Sequence, residues 1–181
     1  SGKTLTYLAP IMNTLLQDAS ATALYLSPLV ALTEDQLATV TRLDGSGVDW
    51  RERGTRFSQY LVCRKLQVGS LSVTVARYDG HVTPGDRQHI RQEQPQYLLT
   101  TPDMLHLSLL SGAFNNRQWA YLFRGLRYVV IDELHTYRGR QGADVALLVR
   151  RLRERLHAEQ MICIGTSATM SSTGSVNDQM K

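Results

Sequence analysis

The sequence predicts one α/β domain, a three-layer sandwich in which helices cover both faces of a mainly parallel sheet. Short apolar runs recur along the chain and are separated by segments with helical spacing, which gives the strand, helix, strand order of a parallel sheet. The runs are apolar on both faces instead of alternating, as expected of strands buried between two helical layers. A length of 181 residues suits one such core.

The first part of the chain predicts a helix, a strand, a second helix and a loop. Apolar residues at helical spacing place the first helix at residues 5–16. A buried strand follows at 23–26 and is closed by a Ser-Pro turn. Residues 31–43 return to helical spacing. The stretch 44–56 carries glycines and charges without apolar periodicity, which predicts a surface connection.

The rest of the chain predicts four further strands and one long helix. Residues 71–75 alternate as a strand does, and a segment with glycine and proline ends it. Later strands are expected at three short apolar runs, 97–100, 128–131 and 161–164. The long helix, 143–157, has its valine and leucines on one stripe. Its arginines are expected on a solvated face, with phosphate binding as the alternative.

Composition narrows the function classes only slightly. A net charge of +4 and a pI near 9.3 favour contact with a polyanion without identifying one. The two cysteines lack metal-ligand spacing, which fits a reducing cytoplasm. No apolar stretch reaches the roughly 20 residues of a membrane span, so no membrane partner is expected. The aromatic residues are few and scattered, and they predict no base-stacking platform.

The first four residues, Ser1-Gly2-Lys3-Thr4, look like the closing half of a phosphate-binding loop that leads into a helix. Gly2 lets the backbone approach phosphate oxygens, Lys3 places a positive charge against the β- and γ-phosphates, and the Thr4 hydroxyl can ligate Mg²⁺. An ordinary helix start with a solvated lysine is the alternative. The opening glycine and the strand before the loop are absent, so the sheet is expected to lack its N-terminal strand.

Two adjacent carboxylates, Asp132 and Glu133, follow the apolar run 128–131. The carboxyl end of such a strand is where open α/β sheets build ligand sites. Asp132 is predicted to hold Mg²⁺, and Glu133 to orient and deprotonate the water that attacks the γ-phosphate. Acidic pairs after strands also serve as helix caps or solvated loop ends, which is the alternative.

Small hydroxyl residues end the next strand in the sequence Thr166-Ser167-Ala168-Thr169. Such residues can pass hydrogen bonds between a nucleotide site and a nucleic-acid site, or they can form only a polar turn. Because the three patterns occur in order with intervening strands and helices, we favour a shared site over coincidence.

Together these residues resemble the DEAD/DEAH-box group of superfamily 2 helicases over nearly the whole chain. Gly2-Lys3-Thr4 is similar to motif I, Asp132-Glu133-Leu134-His135 to a DExH motif II, and Ser167-Ala168-Thr169 to motif III. The resemblance implies a RecA-like P-loop NTPase fold that binds ATP with Mg²⁺. It also implies that His135, Ser167 and Thr169 couple ATP state to nucleic acid, although a histidine at a strand end is also a common surface donor.

Two further loops resemble motifs that touch the nucleic-acid backbone. The loop at Ser27 and Pro28 is similar to motif Ia, and the loop at Thr101 and Pro102 to motif Ib, although each is also an ordinary proline turn. Tyr78-Asp79-Gly80, Thr83-Pro84 and the segment 136–139 resemble a DNA-helicase branch with Lhr-like and YprA-like proteins. This favours DNA over RNA. An extra residue between Gly80 and Thr83 leaves His81 without an assigned contact.

The resemblance implies that residues 1–181 are the ATP-binding first RecA-like domain of a helicase or translocase, truncated at both ends. A second RecA-like domain, which supplies an arginine finger, is expected further along the complete protein. The isolated 181 residues are therefore expected to hydrolyse ATP poorly or not at all. Two alternatives stay open, namely a P-loop ATPase that does not act on nucleic acid and a non-hydrolysing scaffold of the same fold.

Overall fold

The computed structural model describes residues 2–110, 118–156 and 161–167, with side chains for all of these except 2, 3, 155 and 156. A six-stranded sheet has the order β2-β3-β4-β1-β5-β6. All neighbours pair in parallel except β2, which is antiparallel to β3. The strands are β1 (Thr22–Leu26), β2 (Cys63–Val68), β3 (Leu71–Tyr78), β4 (Tyr97–Thr100), β5 (Leu126–Ile131) and β6 (Ile162–Gly165).

Helices connect most of these strands, except that β2 is followed directly by β3. They are α1 (Gly2–Gln17), α2 (Val30–Thr41), α3 (Trp50–Arg56), α4 (Gln59–Val62), α5 (Pro84–Glu93), α6 (Pro102–Met104), α7 (Ala120–Arg124) and α8 (Gly139–Leu156). A π-helical segment, Leu105–Leu110, continues α6, and a 3-10 turn, Leu134–Thr136, follows β5. None of the described helices is both long enough and apolar enough to span a bilayer.

Two apolar cores lie on opposite faces of the sheet. In β1, Leu24 and Leu26 belong to one core and Ala23 and Tyr25 to the other, as the period of two in a strand requires. The first core packs against side chains from α5, α7 and α8, and the second against side chains from α1 and α2. The predicted three-layer sandwich with a mainly parallel sheet is confirmed.

The predicted surface connection at 44–56 was wrong from residue 50 onward. Helix α3 occupies part of the predicted surface connection, and Asp49 caps it by accepting hydrogen bonds from the amides of Arg51 (2.9 Å) and Glu52 (3.1 Å). Trp50, which is 8% exposed, is the large apolar side chain through which α3 packs against the second core. A single large residue gives no periodicity, so the pattern missed this helix.

Strand β2 was also missed. It lies at one end of the strand order, and its sequence contains two adjacent basic residues, Arg64 and Lys65. Charged residues are common on edge strands because they discourage pairing with other chains. The apolar alternation that would have indicated a strand is therefore interrupted.

The carboxyl ends of β1, β3, β4, β5 and β6 meet at one edge of the sheet, which we call the carboxyl edge. Because β2 is antiparallel to β3, with Cys63 opposite Ala76, β2 begins at this edge. Helix α4 ends directly before Cys63 and therefore lies there too. The segments after β1, β4, β5 and β6, which carry the other predicted motifs, leave the sheet at the same edge.

Candidate functional site

Asp132 and Glu133 stand directly after β5 on the carboxyl edge. The Asp132 amide donates to the Leu26 carbonyl at 2.8 Å, so the chain is still held by β1 at this point. Glu133 then adopts a left-handed conformation, with φ 52° and ψ 46°. Non-glycine residues rarely adopt this conformation, and those that do cluster at functional sites. The backbone at Glu133 therefore supports a functional hypothesis for this turn.

Two hydroxyl groups hold the Asp132 carboxylate. Tyr25 donates to Oδ2 from β1, and Thr166 donates to Oδ1 from the end of β6. A carboxylate offers about four acceptor positions, so each oxygen keeps capacity for one more partner. Asp132 is thus fixed in orientation and still able to ligate a cation through oxygen.

Two tyrosines that interact with Asp132 have raised pKa values. Burial raises the pKa of Tyr25, and its hydrogen bond to Asp132 raises this pKa further, so Tyr25 stays a donor near neutral pH. Burial also raises the pKa of Tyr7 to about 12, with a further contribution from the negative charge of Asp132, while a hydrogen bond with the Thr4 side chain lowers it. The first turns of α1 therefore lie within electrostatic reach of Asp132.

His135 connects the ends of β5 and β6. Its Nδ1 atom is 3.1 Å from Glu133 Oε2 and 3.3 Å from Ser167 Oγ. The backbone joins the same two ends, because the Leu134 amide donates to the Thr166 carbonyl at 2.8 Å. The structure therefore brings together three residues that the sequence assigned to catalysis and coupling.

Several predicted site residues lie outside the described atoms. Ser1 and Thr169 are outside the described residues, and Gly2 and Lys3 are described only through their backbone. Thr4 is half-buried near the start of α1. A shared site of Lys3, Thr4 and Asp132 stays a prediction.

The loops after β1 and β4 carry the predicted nucleic-acid contacts. Ser27 is fully buried, and its hydroxyl donates to the Leu29 carbonyl at 3.1 Å, so this side chain stabilises the turn and does not face outward. The loop instead exposes Leu29, which is 60% accessible. Thr101 caps α6 by accepting from the Met104 amide at 3.4 Å, and Pro102 is the first residue of that helix.

Sequence reasoning assigned no individual role to two residues of the site, Tyr25 and Thr166. Thr166 stood directly beside Ser167 in the run of hydroxyl residues, and only its contact with Asp132 separates it from the others. Tyr25 was read as one apolar member of a buried strand. A tyrosine in the middle of such a strand needs a partner for its hydroxyl, and this signal pointed to a polar group at the strand end.

Comparison with known proteins places this geometry in a family. Residues 1–176 match the DEAD/DEAH box helicase family. The chain is similar to the ATP-dependent helicase YprA of Bacillus subtilis, with 34% identity over 183 residues that cover 99% of this chain and 21% of YprA. This chain therefore spans about a fifth of that relative. The resemblance to YprA-like and Lhr-like proteins is confirmed.

Solved structures show the same likeness. The DUF1998 helicase MrfA bound to DNA superposes with a TM-score of 0.70 at 34% identity, over 94% of this chain and 21% of MrfA. The helicase Lhr of Mycobacterium smegmatis bound to ssDNA and AMP-PNP superposes with a TM-score of 0.65 at 29% identity, over 93% of this chain and 20% of Lhr. The predicted RecA-like fold is confirmed by these neighbours, and the chain belongs to the DEAD/DEAH box helicase family.

Proposed function

We propose that residues 1–181 form the ATP-binding RecA-like domain of an ATP-dependent DNA helicase or translocase. The observation that carries this proposal is the arrangement around Asp132. Two hydroxyl groups fix its carboxylate at the carboxyl edge, and Glu133 follows in a left-handed turn in contact with His135. A fixed acid beside a second, differently held acid suits hydrolysis of a phosphoanhydride.

In this proposal Glu133 orients the attacking water and accepts its proton. Thr4 and Asp132 hold Mg²⁺, and Ser1, Gly2 and Lys3 hold the phosphates of ATP. When bound, Mg²⁺ neutralises charge on the phosphate oxygens. The second RecA-like domain of the complete protein supplies the other wall of the ATP site.

The described residues fit Mg²⁺ in this role. Among the described residues no three or more His, Cys, Asp or Glu side chains form a metal cage, so Mg²⁺ would depend on few protein ligands. Mg²⁺ in nucleotide sites is commonly bound through one or two carboxylates, with substrate phosphates and water completing its shell. The free acceptor capacity of the Asp132 carboxylate matches that mode.

We further propose that DNA lies along the loops at Pro28, Thr101 and Pro102. Ser27 shapes the first of these loops. MrfA and Lhr, which this chain resembles, have been solved with DNA, and this favours DNA over RNA. The contact of His135 with Ser167 links ATP state to the grip on DNA, so that domain closure and opening shift that grip.

Both cysteines are free, as in a protein of the reducing cytoplasm.

The test is the ATPase rate of the full-length protein, measured alone, with single-stranded DNA and with single-stranded RNA. We expect DNA to raise the rate and RNA to raise it less. A rate that neither nucleic acid changes would favour a P-loop ATPase that does not act on nucleic acid. ATP binding without hydrolysis under any of these conditions would favour a scaffold.

Removing the Tyr25 hydroxyl should weaken the binding of Mg²⁺ at Asp132. In Tyr25→Phe, Asp132 loses the donor that fixes Oδ2. A hydrogen bond to a charged group is worth about 1.5–3 kcal/mol, so we expect the Mg²⁺ concentration for half-maximal ATPase activity to rise by about tenfold or more. The rate at saturating Mg²⁺ should change much less. The measurement is a Mg²⁺ titration of the full-length enzyme.

Tyr128→Phe is the matched control for this variant. Tyr128 lies on β5 and hydrogen-bonds the Thr14 side chain at 3.0 Å, away from Asp132. Its Mg²⁺ titration should match that of the unmodified protein. An unchanged titration in Tyr25→Phe would show that Tyr25 does not position the carboxylate.

A further inference from the structure

Helices α3 and α4 gather aromatic and basic side chains that are separated in the sequence. The Arg53 guanidinium lies 5.6 Å from the ring centre of Trp50 and 5.5 Å from that of Tyr60. Trp50 is anchored by its Nε1 atom, which donates to Asp44 at 2.6 Å. Phe57 packs edge-on against Tyr60 at 6.2 Å, yet it is 59% exposed. We call Trp50, Arg53, Phe57 and Tyr60 the α3–α4 cluster.

Exposed arginines lie beside this cluster. Arg51, Arg53 and Arg56 are all exposed on α3. The nearby acids are engaged, because Asp49 caps the helix and Glu52 pairs with Arg56 at 2.6 Å. An exposed aromatic ring beside exposed guanidinium groups suits a polyanion that carries flat bases, which is single-stranded nucleic acid.

The α4 end of the cluster lies at the carboxyl edge, whereas Trp50 is tied to Asp44, which accepts from the Gln67 amide near the other end of β2. The antiparallel pairing of β2 places α4 at this edge, and Ser58 Oγ donates to Asp86 Oδ1 at 3.2 Å in the first turn of α5. Helix α5 begins just after β3, whose neighbour β4 leads to Thr101. From β4 to β2 is two strand spacings, roughly 10 Å, so a strand of nucleic acid on the predicted contacts reaches the cluster within a few nucleotides.

We propose that Phe57, with Arg53 and Arg56, forms an additional contact for single-stranded nucleic acid, which continues past the loops of β1 and β4. Phe57 stacks on a base, and the arginines meet the backbone phosphates. An exposed phenylalanine alone carries no such meaning, since scattered apolar residues are normal on surfaces. The position of Phe57 beside three exposed arginines is what indicates a contact with nucleic acid. The inference rests on the proposed function and differs from the expectation, drawn from the sequence, that no stacking platform is present.

The test measures binding of fluorescently labelled oligonucleotides to the full-length protein by anisotropy, with polythymidine and an abasic strand of equal length. Phe57→Ala should weaken binding of polythymidine about tenfold and leave the abasic strand unchanged. Arg56→Ala should weaken both and reduce the salt dependence by about one counterion. Leu71→Ala and Arg127→Ala are the controls, since these exposed residues lie at the opposite edge, and neither should change binding.

Phe57→Tyr separates stacking from a folding defect. It keeps a flat ring, so binding of polythymidine should stay within about twofold of the unmodified protein, because every flat ring stacks on bases. If Phe57→Ala binds polythymidine as tightly as the unmodified protein, or loses the abasic strand equally, the stacking contact is overturned. If Arg56→Ala leaves both affinities and the salt dependence unchanged, the phosphate contact is overturned. A full-length protein that binds no single-stranded nucleic acid would instead overturn the proposed function itself.

Discussion

Replacing Glu133 with glutamine is expected to lower the rate of ATP hydrolysis by the full-length protein about 10²–10⁴-fold, the usual contribution of a general base. The Glu133→Gln side chain keeps nearly the same shape and can still hydrogen-bond His135, but it cannot accept a proton from water. ATP binding should therefore persist. The measurements are single-turnover hydrolysis and the affinity for a labelled ATP analogue.

Glu93→Gln is the control for this variant, because Glu93 is an exposed acid at the end of α5. Its hydrolysis rate should be unchanged. Hydrolysis that persists in Glu133→Gln would remove Glu133 from the role of base. Loss of ATP binding in the same variant would indicate a structural role for Glu133 in shaping the turn.

Replacing Arg77 with methionine should produce the largest loss of stability that we expect. Arg77 is 8% exposed, and its Nε atom lies 3.3 Å from Oδ2 of Asp79, which is fully buried. Arg77 also pairs with Glu34, which is exposed. Without Arg77 the buried Asp79 charge keeps hydrogen bonds from the Thr33 hydroxyl and the His81 amide but loses its cation, and such a loss costs about 3–5 kcal/mol. Exchange of amide hydrogens in β3 and β4 that requires unfolding of the domain should accelerate on the order of 10²–10³-fold.

Asp79→Asn tests whether the buried charge causes this loss. In the double variant with Arg77→Met no charge is left buried, and residue 79 can still accept the hydrogen bond that the His81 amide now makes to Asp79 at 2.9 Å. The double variant should therefore cost less than the sum of the two single variants. Arg42→Met, at an exposed position after α2, should change exchange little. Additive costs would exclude coupling between Arg77 and Asp79.

Much of the fold was predictable because the parallel strands are buried on both faces. The runs in β1, β4 and β5 are continuous and apolar, and they read as strands without any knowledge of their neighbours. Strand β2 has no such signal, because its half-exposed face carries charges. Helix α3 depends on one buried tryptophan and a side-chain cap. Neither α3 nor β2 shows a repeating apolar pattern in the sequence, so only the three-dimensional structure identifies them.

The site was predictable where it consists of short motifs and unpredictable where it depends on contacts between strands. Asp132, Glu133 and His135 are adjacent in the sequence, and their chemistry is visible there. The support that Tyr25 gives to Asp132 joins residues 107 positions apart, which only strand pairing brings together. Ser27 is the reverse case. The motif suggested a nucleic-acid contact for its hydroxyl, but the side chain is buried and its hydroxyl donates to the Leu29 carbonyl.

Strand β6 lies at the end of the strand order opposite β2. Among the described residues it pairs only with β5, and Ile162 at its start is 50% exposed. Within the described ranges its other side has no strand partner, and an unpaired strand edge can template pairing between molecules. A preparation of residues 1–181 is expected to assemble into oligomers or fibrils at high concentration, which light scattering would detect.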